Sequence, residues 1–237
     1  MSSINKRLVI VIPIFNEEAA IRSNLDRYKL MCDSSDFKHT VSMVFVDGGS
    51  SDQSIDILEK HNFHVVRGNK GRAKQQNIGA DYFAQSYDVI LFLHADTFFI
   101  DSFHETLALV LNQKWGFFKL KLSNRRFIYR MISGGINFRS WLFKRGTGDQ
   151  ALFFSQETFE QLRGFGDLAL MEDVDICSRA KKICKPKIIP AFVQTSSRRW
   201  EENGAIRTVL SMWFFQICFS LGVNSQTIER WYYSKKS

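Results

Sequence analysis

Leu8-Val9-Ile10-Val11-Ile12-Pro13-Ile14 runs straight into Phe15-Asn16-Glu17-Glu18, an apolar run that breaks off in polar and acidic residues. A nearly unbroken Val/Ile run with no polar alternation suits a parallel strand covered on both faces. Lys6 and Arg7 ahead of it could open a signal peptide. The apolar run is too short for that, however, and acids stand where a small-residue cleavage site belongs. It is read as a buried strand.

The same grammar recurs outward from this strand. A helix is predicted from Glu17 to about Met31, a strand over Val41–Val46, and a helix over Asp52–His61 capped by Ser51. A short strand over Phe63–Arg67, a helix over Arg72–Gln85 and a strand over Val89–Leu93 follow. Strand–helix alternation at this spacing predicts right-handed βαβ units, hence an α/β domain with a mostly parallel, doubly wound sheet and helices on both faces. The second half is less regular. Helices are predicted over Asp101–Gln113, Glu172–Lys182 and Ala205–Gly222, and strands over Trp115–Leu122, Ala151–Phe154 and Lys187–Ile189. Phe127–Phe143 reads as an amphipathic helix or a lid.

With 237 residues, 45% hydrophobic, and only three prolines and fourteen glycines, the chain has the balance of one globular domain rather than a linker-rich or disordered one. The formal charge of +8 points to an anionic partner: nucleic acid, a phosphorylated small molecule or a lipid headgroup surface. Lys121–Gly148 holds seven Lys/Arg and no acid, and so does Ile176–Trp200. Four scattered cysteines form no C-x-x-C pair, which suits a reducing cytoplasm.

In an open parallel sheet, ligands bind beyond the carboxyl ends of the strands. Three predicted strands end there in polar residues: Pro13 to Glu18, Asp47-Gly48-Gly49-Ser50-Ser51-Asp52, and His94-Ala95-Asp96. Turn and cap chemistry explains each alone, but not why acids gather on one edge. Asp47 can accept from a base or ribose, and a helix N-terminus beside glycines favours phosphate. His94 and Asp96, two apart at a strand end, point to one side and could face a divalent ion or a ribose, His94 suiting Mn2+ better than Mg2+. Arg72 and Lys74 stand at a loop-to-helix junction, an anion seat or a solvated helix start. Met171-Glu172-Asp173-Val174-Asp175 is the densest acidic cluster in a basic half. Acids there complement a helix dipole, and crowding also raises a carboxyl pKa toward neutral.

Taken together these segments resemble the family 2 glycosyltransferases, inverting enzymes of the GT-A fold. Pro13, Asn16 and Glu17 match the family's P-x-x-N-E, Asp47–Asp52 its D-G-S-x-D-type turn, and Gly71, Asn77 and Gly79 its G-x-x-x-x-x-N-x-G segment. A D-x-D-like motif and a late E-D pair, Glu172-Asp173, complete the order. The His94–Thr97, Gly148–Gln150 and Met171–Val174 segments are similar to a subgroup called selenodomain-associated transferases.

The resemblance implies transfer from a nucleotide-diphosphate sugar with a divalent metal, Mn2+ or Mg2+. It implies nucleotide contacts from Pro13, Asn16, Glu17, Asp47, Ser50, Arg72 and Asn77, and a metal site at Asp96 with His94 in place of the family's first Asp. Asp173 would be the general base, with Glu172 beside it. Gly148, Asp149 and Gln150 would line the sugar or acceptor pocket, together with Arg199 and Trp200. Gln194–Trp200 departs from the family's Q-x-x-R-W by two residues, so processive synthesis is not implied. The expected organisation is a transferase domain over 1–204, its nucleotide-binding half about 1–100 and its acceptor half about 101–204, with an apolar and basic helical extension over 205–237.

Thr208–Val223 is uncharged and Arg230-Trp231-Tyr232-Tyr233 follows. The stretch falls short of the ~20 mostly apolar residues that span a bilayer. It reads either as a helix packed on the core or in a dimer, or as peripheral membrane contact serving a lipid or lipid-linked acceptor. Two other functions share some of these features. A sugar-nucleotide nucleotidyltransferase needs a glycine-rich basic loop after the first strand, and Pro13–Glu18 has neither glycine nor base. A nucleic-acid binder would use the aromatic and basic run over Lys121–Arg145, but acids crowd the sheet edge, so no nucleic-acid partner is expected. A catalytically dead scaffold is disfavoured by the presence of both Asp96 and Asp173.

Overall fold

The computed structural model describes residues 5–33, 39–83 and 86–234. In order they form β1 (Arg7–Ile14), α1 (Glu18–Cys32), β2 (Thr40–Asp47), α2 (Ser54–Lys60), β3 (His64–Arg67), α3 (Arg72–Tyr82) and β4 (Val89–Phe92). Then follow β5 (Thr97–Phe99), α4 (Phe103–Ala108), β6 (Trp115–Leu122), α5 (Phe127–Phe143), β7 (Leu152–Ser155), α6 (Gln156–Gln161) and α7 (Glu172–Ile183). β8 (Lys187–Thr195), α8 (Arg198–Asn203), α9 (Ala205–Ser220) and α10 (Ser225–Ser234) complete the chain. Gln85, the expected end of the third helix, and residues 235–237 lie outside the described residues.

The strands make one eight-stranded sheet in the order β3-β2-β1-β4-β7-β6-β8-β5. β1 pairs in parallel with β2 and β4, and β2 with β3, as the Val/Ile run implies. Two strands break the all-parallel pattern: β7 runs antiparallel to both β4 and β6, and β5 antiparallel to β8. The result is a mixed, mostly parallel sheet.

Both faces are covered. On one side Leu8, Ile10, Ile12 and Ile14 of β1 join Ile21, Tyr28 and Met31 of α1. On the other, Val9 and Val11 join Ala73 and Ala80 of α3 and Ile176, Cys177 and Ala180 of α7. Period-two alternation therefore feeds two separate cores, each buried Val, Ile or Leu contributing roughly 1.5–3 kcal/mol relative to exposure. α3 packs so closely that a methyl on Gly79 would lie 2.3 Å from Val11 Cγ1.

Several boundaries differ from the sequence reading. Ser51 does not cap α2; its N–H donates to Asn16 Oδ1, and Asp52 Oδ1 accepts from Ser54 N–H instead. α4 is shorter than the expected Asp101–Gln113. Phe127–Phe143 is a helix. β8 continues past Ile189 to Thr195, because a bulge at Pro190 and Ala191 lets the pairing with β6 resume at Lys119–Phe192. Within the 205–237 extension, Ala205, Val209 and Met212 of α9 pack against the first core.

Candidate active site

At the carboxyl ends of β1 and β2, polar side chains knit two loops together. Asp47 is buried, and its carboxylate accepts from the N–H groups of Gly49 and Ser50 at 2.8 and 3.1 Å. Asn16, in left-handed backbone at φ 54°, donates its N–H to Ser50 Oγ. Gln75 of α3 ties both strand ends from behind, donating to the carbonyls of Ile14 and Val46. Asn77 clamps a distant loop, bonding both the N–H and the carbonyl of Phe165. Asn16, Asp47, Ser50 and Asn77 thus shape the rim, and none of them lines the adjoining cleft.

The cleft itself has a volume of about 760 Å3, in the range of small-molecule sites. Pro13, Glu17, Arg72, His94, Gly148, Asp149, Glu172, Asp173 and Arg199 line it, so residues from six separate segments meet there. Gln150 and Trp200, expected in the pocket, are buried instead. Trp200 belongs to the first core. Gln150 anchors a 3-10 turn over Gly148–Gln150, its Oε1 accepting from Thr147 N–H and Ser140 Oγ–H and its Nε2 donating to the Phe118 carbonyl.

That turn is the hub. His94 Nδ1 lies 3.0 Å from Asp149 Oδ1. Gly148 N–H donates to Asp173 Oδ2 at 2.9 Å, while Asp173 Oδ1 accepts from Val174 N–H. A methyl on Gly148 would sit 2.7 Å from His94 Nε2, so glycine leaves the room that the imidazole occupies beside the turn. Ala151, just after the turn, and Met171, just before α7, both take left-handed backbone at φ 50° and 70°. Such strain, of order 1 kcal/mol per residue, tends to gather at functional sites.

The electrostatics divide the acids. The His94 hydrogen bond, with the charges of His94, Arg72 and Arg199, outweighs desolvation and drives the Asp149 pKa far below the usual carboxylate range. Glu172 goes the other way: burial first, and then the charge of Asp173, push it up to about 7. Glu17 is also raised, by burial and then by the charge of Asp96. For Arg72, which keeps solvent contact at the cleft wall, partial desolvation is outweighed by Glu172, Asp149 and Asp173, which hold it positive.

Among the described residues, no three His, Cys, Asp or Glu side chains gather into a metal cage. His94 commits Nδ1 to Asp149, which takes that nitrogen out of the expected metal set. Asp96 Oδ1 accepts only at 3.3 and 3.4 Å, from the hydroxyls of Thr97 and Thr195. Asp96 is not among the residues that line the cleft; its single carboxylate suits a hard cation that completes its shell with diphosphate oxygens and water, not an ion enclosed by protein ligands.

Residues 9–118 match the family model described as Glycosyl transferase family 2. The matched segment runs from β1 into β6, just under half of the chain. A 52-residue segment is 40% identical to the uncharacterized glycosyltransferase YkcC of Bacillus subtilis (strain 168), over 22% of this chain and 16% of that protein. The fold is similar to crystal structures of S. aureus TarS, with a TM-score of 0.62 and 16% identity over 80% of this chain and 36% of that one. It is also similar to mannosyltransferase PcManGT from Pyrobaculum calidifontis in complex with GDP-Man and Mn2+ (TM-score 0.55, 16% identity, 80% of this chain and 57% of that one). The chain thus spans about a sixth of the curated relative and between a third and three-fifths of these structures.

Several cleft residues escaped the sequence reading. Thr147 and the loop from Asp167 to Met171 line it, as do Gln226, Glu229, Tyr232 and Tyr233 of α10. Arg199 stacks 4.9 Å over the Tyr232 ring, tying α10 to the cleft wall. The amphipathic run Ser225–Ser234 was the available signal.

Proposed function

We propose that this cleft transfers a sugar from a nucleotide-diphosphate sugar to an acceptor hydroxyl, with inversion at the anomeric carbon. The observation that carries the reading is the convergence of Arg72, the His94–Asp149 pair and the Glu172–Asp173 pair on one cleft beyond the ends of parallel strands. The segments that resemble the selenodomain-associated transferases supply three of its walls.

Arg72, with Lys70 and Lys74 beside it at the start of α3, offers the diphosphate a positive seat. Pro13 and Glu17 line the neighbouring wall for the nucleoside, while Asn16, Asp47, Ser50 and Asn77 act by holding the loops in shape. Asp96 would hold Mn2+ or Mg2+, which when bound supplies Lewis-acid neutralisation of the departing diphosphate.

Asp173 is the proposed general base. Its charge helps keep a proton on Glu172, and the Gly148 and Val174 N–H groups orient the Asp173 carboxylate. The acceptor oxygen attacks the anomeric carbon as its proton passes to the Asp173 carboxylate and the bond from sugar to diphosphate breaks. Glycoside and nucleoside diphosphate leave, and a single displacement inverts the centre. Gly148, Asp149 and Arg199 face the sugar or acceptor. A lipid or lipid-linked acceptor is the class that an apolar α9 beside the cleft favours.

UDP-GlcNAc and GDP-Man, bound by a TarS structure and by PcManGT, are the first donors to try. Incubation with each, with and without Mn2+, should release nucleoside diphosphate in the wild type and not in Asp173→Asn. Release of pyrophosphate would instead mark a nucleotidyltransferase. A salt-dependent RNA shift without sugar-nucleotide binding would mark a nucleic-acid binder.

A further inference from the structure

We propose that the outward faces of α5 and α9 together form a docking surface for an anionic lipid bilayer. The lipid-acceptor reading above gives this surface its purpose, while docking itself is measurable without turnover.

α9 and the residue after it carry Ile206, Leu210, Trp213, Phe214, Ile217 and Leu221 at helical spacing, each between 49% and 81% exposed. The opposite side is also apolar and packs on the first core. A surface helix of a globular protein needs one apolar stripe. α9 has two and the fold covers only one.

α5 repeats the pattern. Phe127, Met131, Phe138 and Leu142 are exposed, while Ile132 and Ile136 face the core. Both helices cover the same core cluster, and Arg139 Nη1 donates to Gln216 Oε1 at 3.1 Å across their contact. Their outer stripes therefore share one side of the molecule, as a patch larger than scattered surface apolars produce.

The charge around the patch selects its occupant. Residues 121–148 hold seven Lys/Arg and no acid, and Arg207 is the one charged residue in 205–228. Arg130 and Arg207 are exposed, and Lys144 Nζ sits 4.7 Å over the Trp141 ring. A second copy of the chain would set like charges face to face, whereas anionic headgroups meet a basic rim and apolar side chains at once. Trp141 and Trp213 suit the headgroup level. Among the described residues no helix is long and apolar enough to cross a membrane, so the helices would lie in the interface. The cleft side of α9, with Ser211, Met212 and Gln216, then faces the site from beside the bilayer.

Flotation of the full chain with vesicles of phosphatidylcholine and phosphatidylglycerol, and with phosphatidylcholine alone, tests this. The wild type should float with the anionic vesicles and several-fold less with the neutral ones or in high salt. Leu210→Glu with Trp213→Glu, both exposed, should lose about tenfold or more of that binding at unchanged Tm. Asp173→Asn should float like the wild type, which separates docking from transfer. Failure of the wild type to float, or a double variant that floats as well as the wild type, overturns the proposal. So does a solution dimer that the double variant converts to monomer without any vesicle binding, because the face then belongs to a second copy.

Discussion

Asp149 and Glu172 face the same cleft and are driven in opposite directions. Asp149 sits on a short turn with an imidazole 3.0 Å away and two guanidinium groups in electrostatic reach, so its ionised form is favoured. Glu172 is 5% exposed at the start of α7, next in sequence to Asp173, so its ionised form is disfavoured. Asp149 is a lone acid after a basic stretch and Glu172 opens an acidic run; burial opposes the charge of both, and the groups beside each set the sign. An enzyme that must keep one carboxylate charged and another protonated at neutral pH needs such a division.

Removing the group that couples the two halves of this contrast should have the largest effect. Asp173→Asn is expected to lower the rate of sugar transfer by about 10²–10⁴-fold while leaving donor affinity nearly intact, because the lost group acts on the acceptor. Steady-state rates and donor titration on one preparation check both parts. Retained turnover would move the base to Glu172. Since the charge of Asp173 helps raise Glu172, the same variant should bring the Glu172 titration down toward ordinary values.

Asp149→Asn comes next. It exchanges a charge-assisted bond to His94 for a neutral one, with an expected loss of about 1–3 kcal/mol of stability at pH 7. The depressed Asp149 pKa contributes stability that is present above its ordinary value of 3.8 and fades as pH falls below it. Melting curves at pH 7 and pH 3 should therefore show a gap between wild type and variant that narrows in acid. A gap independent of pH would break the assignment.

Glu172→Gln should give the smallest change, with the reverse sign. A raised carboxyl pKa means that the folded chain binds the proton more tightly than the unfolded chain, so stability falls as pH rises from about 4.5 to about 7. The neutral variant escapes that loss. Its Tm is expected about 2–4 °C above the wild type at pH 8 and level with it at pH 4. A drop at pH 8 would show Glu172 to be ionised and paired.

The two halves of the chain differ in how much of this was readable. β1 to β4 and the helices between them follow local periodicity, and their boundaries lie within about two or three residues of expectation. Beyond residue 96 the sheet is held by partners far apart in sequence. Thr97–Phe99 pairs with Val193–Thr195, which no local pattern announces. Pro190 reads as the end of a strand until the bulge opposite β6 absorbs it. The site divides the same way. Arg72, His94 and Asp173 were visible as residue types at strand and helix ends, and Asp149 only through the family resemblance. The His94–Asp149 bond was not visible, because it joins residues 55 positions apart through a turn fixed by buried Gln150. Trp200, placed at the pocket by the resemblance, fills the core instead.

Calorimetric titration of UDP and GDP, with Mn2+ present, into the wild type and Arg72→Ala tests most directly whether this cleft is a nucleoside-diphosphate site. Saturable binding of at least one of them by the wild type, weakened about tenfold or more in the variant, is the predicted result. No saturable binding by the wild type, or equal affinity in Arg72→Ala, would contradict it.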